Sequence, residues 1–171
     1  MFYFDEYLKK RESEYAWDKA LAYLENLFVK ERKVSILNSL IGFSWYYLIE
    51  GSIDSQKYGN DENQTALEVW EKYLEIGFKD YAQEPSFCFI AGYTLLMHGF
   101  YISNYRRNSE EKGKELLSLA ARNNENIGEI ANLIIVMNSQ KKYEPNKYKL
   151  KYNNLFNNGS LLDNYFKELY Y

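Results

Sequence analysis

Apolar residues return at every third or fourth position through most of this chain, the period of a helix with one buried face. The clearest run places Trp17, Leu21, Leu24 and Phe28 at i, i+4, i+7 and i+11, widened by Ala20 and Leu27. Tyr3, Phe4, Tyr7 and Leu8 predict a helical turn or two before it. Residues 34–50 are apolar almost all round, from Ile36 to Ile49, which marks a central helix. Gly51 is placed to stop it, and SIDSQKYGNDEN at 52–63 reads as a loop. Within 65–78, Leu67, Trp70 and Leu74 form a stripe, with Ala66, Val69, Tyr73 and Ile76 beside it. Glu68, Glu71, Lys72 and Glu75 take the other side, and Gly77 is the expected stop.

Pro85 suits the first turn of a further helix, expected to reach about Tyr105. It holds the most apolar stretch, Phe87 to Ile102, which at 16 residues falls short of the roughly 20 that span a membrane. Ser109 before Glu110 and Glu111 predicts a capped helix carrying Leu116, Leu117, Leu119, Ala120 and Ala121. Asn123, Asn124 and Asn126 predict a turn, and Ile127, Ile130, Ala131, Ile134 and Met137 the helix after it. Past Pro145, Tyr148, Tyr152, Leu155 and Phe156 have helical spacing. KYKLKY at 147–152 alternates as a strand would, but nothing else in the chain offers it a partner. Gly159-Ser160 leads into Leu162, Tyr165, Phe166, Leu169 and Tyr170, with Ser160 and Asp163 placed like a capping box. The expectation is one all-α domain over 1–171 with seven or eight helices. Antiparallel hairpins fall near 34–78, 84–123 and 127–157, stacked as a short array or bundle, with capping helices at 14–30 and 160–170.

Two hairpins share a pattern. With Gly51 set on Gly99, Trp45 meets Tyr93, Leu48 meets Leu96 and Ile49 meets Met97. Further on, Ala66 meets Gly113, Glu68 meets Glu115, Val69 meets Leu116, and Trp70 meets Leu117. The run Ala66-x-x-x-Trp70-x-x-Tyr73-Leu74-x-x-Gly77 resembles the second helix of a Sel1-type tetratricopeptide-like repeat. The helix with Gly92-Tyr93 and Gly99 resembles the first helix of such a repeat. That resemblance covers about half of the chain and implies stacked hairpins with a concave, protein-binding surface.

The residues that carry most catalysis are scarce. One cysteine excludes an internal disulfide, and one histidine excludes a His-pair metal site. Cys88 reads as a small core hydrophobe, and His98, in LLMHG, as a core or interface histidine bonded to a backbone carbonyl. There is no Gly-x-Ser-x-Gly elbow, and Lys112-Gly113-Lys114 lacks the rest of a phosphate loop. The carboxylates of Glu110, Glu111 and Glu115, and of Glu125 and Glu129, read as solvated pairs. No Arg precedes His98 at the spacing of a HEPN-type nuclease. The chain is therefore expected to be a non-enzyme without cofactor or metal. An acidic start without a leader-like apolar run, and the single cysteine, point to the cytoplasm.

Charge is distributed unevenly behind a net −3. Residues 31–80 hold nine acids and five bases, net −4, while 131–171 hold three acids and six bases, net +3. An acidic hairpin suits a basic partner. The basic, Tyr-rich KKYEPNKYKLKY at 141–152 could touch RNA, but reads better as a solvated face with its rings turned inward. A small, acidic, helical chain rich in Tyr and Trp and without a catalytic kit resembles, in type rather than motif, a bacterial immunity protein. Such proteins serve contact-dependent and other polymorphic toxin systems. That resemblance implies a cognate toxin as partner, a basic nuclease above all, occluded by an acidic face, with no nucleic acid or membrane bound. The candidate contact residues are Glu50, Asp54, Asp61 and Glu62, then Glu68, Glu71 and Glu75, with Tyr46 and Tyr58 as aromatic anchors. The alternatives are a repeat-type scaffold or chaperone holding a peptide and, further off, a helical RNA-binding protein or nuclease.

Overall fold

Asp5 opens the first helix. Its carboxylate accepts from the Leu8 N–H at 2.9 Å and caps α1, Glu6–Ser13. In this computed structural model, which describes residues 1–53, 60–139 and 155–168, every further regular element is also helical. They are α2 (Trp17–Glu31), α3 (Val34–Ile53), α4 (Asn60–Asp80), α5 (Pro85–His98), α6 (Ser109–Asn123), α7 (Glu125–Asn138) and α8 (Leu161–Glu168). A 3₁₀ turn, Gly99–Tyr101, follows α5. The protein is all-α, with eight α-helices among the described residues. The second helix of the hairpin expected near 127–157 falls largely outside them, as do Leu169 and Tyr170.

The chain divides into two compact units, Phe2–Ala82 and Gln83–Tyr171. In the first, α3 supplies the centre: Ile36, Leu37, Leu40, Ile41, Phe43 and Trp45 are fully buried. Helix α2 turns back on α3 through a two-residue link in which Arg32 takes a left-handed conformation, φ 48°. Trp17, at the start of α2, therefore meets Phe43 and Tyr47 well along α3, with ring centroids 5.9 and 5.8 Å apart. Helix α4 runs the same way as α2. Glu25 meets Lys72 and Tyr73, and Phe28 meets Tyr73 and Tyr81. The extended N-terminus is tied to α3, where the Tyr3 N–H donates to Ser39 Oγ at 2.8 Å. Tyr3 and Tyr23 both donate to the Asp5 carboxylate, at 2.8 and 2.6 Å.

In the second unit α5 is the centre, and every residue from Phe87 to Leu96 is buried. Helix α6 lies antiparallel to it, because Gly92 faces Leu116 and Leu117, Leu96 faces Gly113, and Gly99 faces Ser109. The backbones nearly touch at the middle of this pair. A Cβ on Gly113 would lie 2.7 Å from the Leu96 nitrogen and 2.8 Å from the Gly92 oxygen, so only glycine fits. Helix α8 closes α5 with rings: Phe166 lies 5.7 Å from Phe89, 4.9 Å from Tyr93 and 5.0 Å from Phe156. The Tyr93 and Tyr165 hydroxyls are hydrogen-bonded at 2.8 Å.

Several expected boundaries move. Helix α3 passes Gly51 to Ile53, and α4 begins at Asn60, so the loop read at 52–63 shrinks from both sides. Helix α4 also runs past Gly77 to Asp80. A glycine inside a helix costs about 1 kcal/mol against alanine, less than one well-buried Leu or Trp returns. Helix α5 ends at His98 instead of near Tyr105, because Gly99 is pressed against Ser109 and Ile102 folds inward. That contact also takes Ser109 from its expected cap position. Asn108 stands there without a side-chain cap bond. The turn expected at Asn123, Asn124 and Asn126 contracts to Asn124, which ends α6 and caps α7 by accepting from the Ile127 N–H at 3.0 Å.

The expected capping box forms one arm as read, the Asp163 N–H donating to Ser160 Oγ at 3.1 Å. The return arm is shifted, and the Asp163 carboxylate accepts from the Asn158 N–H. Most of the paired positions match in burial, Trp45 with Tyr93, Leu48 with Leu96, Ala66 with Gly113, Val69 with Leu116 and Trp70 with Leu117 being buried, but Met97 is exposed where Ile49 is partly buried.

Gly113→Ala is expected to destabilise the protein by about 2 kcal/mol in urea denaturation, since backbone atoms and no flexible side chain meet the new methyl. Two carboxylates give opposite responses to acid. Burial pushes Asp5 up, but bonds from Tyr23, Leu8, Tyr3 and Tyr7 outweigh it and hold it below its ordinary 3.8. Burial raises Asp163, beyond what its backbone hydrogen bonds recover. The stability from Asp5 is therefore present above about 3.8 and lost as pH falls through its folded value. That from Asp163 is full below about 3.8 and lost as pH rises through its own. Urea midpoints should carry a fall with rising pH through the folded value of Asp163 that Asp163→Asn removes, and amide protection factors report on Asp5. The Leu8 amide should lose protection only in stronger acid.

Candidate functional site

Helix α4 turns its apolar residues inward, with Ala66, Trp70 and Leu74 fully buried. That leaves Glu68 and Glu75 exposed and Glu71 partly exposed on the outer face. Spacings of three and four place the three on one strip. Gln64 donates to Glu68 Oε1 at 2.9 Å and fixes that carboxylate along the helix. Of the other predicted contact residues, Tyr46 is half-buried on α3 with its ring 6.0 Å from Trp17, so only part of it is open to a partner. Glu50 belongs to α3, and Asp61 and Glu62 to the first turn of α4, but their side chains lie outside the described residues. Asp54 and Tyr58 also lie outside the described residues.

The structure ties this strip to α2. Lys72 sits within the carboxylate strip and reaches Glu25 on α2 at 2.8 Å. The Tyr73 hydroxyl donates to the same Glu25 oxygen at 3.1 Å. The hydrogen bond that Lys72 donates to Glu25 raises its pKa above the ordinary range and outweighs the opposing effect of burial, so the ammonium is charged throughout the physiological range. The strip is thus acidic with one cation pinned to the neighbouring helix. Glu25 lies 47 residues from Lys72, and no local spacing reveals the pair.

Elsewhere the chemistry is sparse. Cys88 is fully buried, and burial pushes its thiol up to about 11, which keeps it protonated. His98 ends α5 half-buried beside Phe100 and Tyr101, and burial lowers its pKa, favouring the neutral imidazole. An open cleft of about 940 Å³ follows α6 from Arg107 to Arg122. Its charges pair along the helix, Lys112 with Glu115 at 3.1 Å and Lys114 with Glu110 at 2.5 Å. Among the described residues no three of His, Cys, Asp or Glu are grouped to hold a metal ion. No helix of these residues is long and apolar enough to cross a membrane. No protein family matches the chain, and neither does any curated protein or solved structure.

Lys72→Met is expected to change stability by less than about 1 kcal/mol, because the Glu25–Lys72 pair is partly solvated. Urea midpoints at low and high salt check this, and the wild-type advantage should shrink with salt.

Proposed function

We propose that this chain is a cytoplasmic immunity protein that neutralises a cognate bacterial toxin of the contact-dependent or polymorphic kind. It does so by covering the toxin's active or substrate-binding surface. The observation that carries this reading is the carboxylate strip Glu68, Glu71 and Glu75, held outward on a helix whose other side is locked in a core. A nuclease toxin is basic where it grips phosphates. Carboxylates spaced along a rigid helix meet that surface as the nucleic acid would. Long-range attraction steers the encounter, and a preformed face loses little entropy on docking. Neutralisation of this kind needs no catalytic residue in the inhibitor.

The test begins with affinity capture from the source cell to obtain the partner, followed by association kinetics with the purified pair. Asp61→Lys with Glu62→Lys, and separately Glu68→Lys with Glu75→Lys, should slow association by about ten-fold or more at low salt and little at high salt. Unchanged kinetics at low salt would remove this face from the contact. Degradation of RNA by the purified protein alone would overturn the non-enzymatic reading.

A further inference from the structure

Residues 99–108 leave the end of α5 and return to the start of α6. Their ends are pressed together, since a Cβ on Gly99 would lie 2.5 Å from Ser109 Cβ. Between them, turn bonds run from Ile102 N–H to Gly99, from Tyr105 N–H to Ile102 and from Asn108 N–H to Tyr105, at 3.0–3.1 Å. The Ile102 side chain is fully buried and holds the loop from inside. This is a compact loop of the Ω type, ordered by its own contacts.

The outward side of the loop is unusual for this protein. Phe100 is 50% exposed and Tyr101 43%, with Met97 beside them at 39%. The two rings lie 4.5 Å apart, and the His98 ring stacks on Tyr101 at 6.4 Å. Arg106 and Arg107 are both exposed on the same loop, and neither is in an ion pair among the described residues. No Asp or Glu occurs from Met97 to Ser109. The first acid beyond, Glu110, is already held by Lys114 at 2.5 Å. Exposed Phe, Tyr, Met and Arg together are the side chains enriched at protein contacts.

We propose that the loop 99–108 is a docking surface for an acidic protein segment that carries an apolar side chain. Carboxylates of the segment pair with Arg106 and Arg107, and its apolar side chain covers Phe100, Tyr101 and Met97. A nucleic acid fits less well. Glu111 and Glu115 stand exposed on α6 beyond the arginines and repel a phosphate chain that continues past them, whereas a short segment needs carboxylates only opposite Arg106 and Arg107. The two rings also lie tilted by 36° against one another, without a slot for a base between them. This surface is basic where the α4 strip is acidic, so it stands or falls independently of the proposed immunity function.

The test uses the full chain, isotope-labelled, with the synthetic peptide acetyl-Asp-Asp-Leu-Trp-Asp-amide as probe. The comparison ligands are the same peptide with Asn for Asp and a short oligothymidylate. Binding should shift the resonances of Phe100, Tyr101, Arg106 and Arg107, and the Asn peptide should bind several-fold more weakly. Arg106→Glu with Arg107→Glu should weaken the acidic peptide by about ten-fold, and Phe100→Ala should weaken both peptides. If the double variant fails to fold by circular dichroism, the unaltered chain decides, its affinity falling several-fold from low to high salt. No shift at these residues, affinity independent of salt and of both arginines, or tighter binding of the oligothymidylate would each overturn the proposal.

Discussion

A helix that is apolar on every side cannot face water, and each unit of this protein is organised around one. Helix α3 buries Ile36, Leu37, Leu40, Ile41, Phe43 and Trp45, and α5 buries ten consecutive residues from Phe87 to Leu96. Each large side chain withdrawn from water is worth about 1.5–3 kcal/mol, so enclosing these helices is the main favourable contribution to folding. Enclosure demands amphipathic neighbours on several sides. Helices α2 and α4 supply them with the stripes Trp17–Leu21–Leu24–Phe28 and Ala66–Trp70–Leu74. Helices α6 and α8 supply them for α5, one by glycine contact and the other by rings. The solvated faces of these neighbours, and hence every candidate surface, follow from which side must turn inward.

The same constraint explains what could be read from residue order. Periodicity places the helices because it records the burial that α3 and α5 impose. Residues that act through local chemistry are also legible: Ser160 accepts from Asp163 as a cap should, and Pro85 stands at the first turn of α5. Boundaries marked by glycine mislead, since Gly51 and Gly77 lie within helices whose burial outweighs their weak propensity. Gly99 is a stop, but for a tertiary reason, its contact with Ser109. On the α4 face, the strip of Glu68, Glu71 and Glu75 follows from spacing alone. Lys72 stands in the same strip, but its bond to Glu25 comes only from packing α2 beside α4. The apolar run through Phe100, Tyr101 and Ile102 predicts a helix to about Tyr105, whereas α5 ends at His98. The two rings of that run face outward, so apolar character there reports a surface and not a core.

Aromatic residues thus serve two ends. Trp17, Phe89, Tyr93 and Phe166 fill seams, where large flat rings join helices without needing close backbone approach. Where the backbones do approach, at Gly92 and Gly113, no ring could fit, and the two kinds of seam together set how α6 and α8 flank α5. Phe100 and Tyr101, by contrast, face outward on a loop with two arginines that make no ion pair among the described residues, and with no acid in its sequence.

The protein buries its one thiol, which stays protonated, and half-buries its one imidazole, whose pKa is lowered by burial. What it offers to solution is fixed charge on rigid supports. The net −3 hides this, because it averages an acidic helix face with basic segments elsewhere in the chain. Fixed charge of one sign on a well-anchored helix gives speed and selectivity in recognition more than raw affinity, since exposed ion pairs contribute little once formed. Tight inhibition would therefore need apolar contacts beside the carboxylates. Tyr46, half-covered by Trp17, offers only part of a ring. Under the proposed immunity function, the toxin's own apolar side chains and the shape of the α4 face would supply the rest of the affinity, and the acidic strip its on-rate.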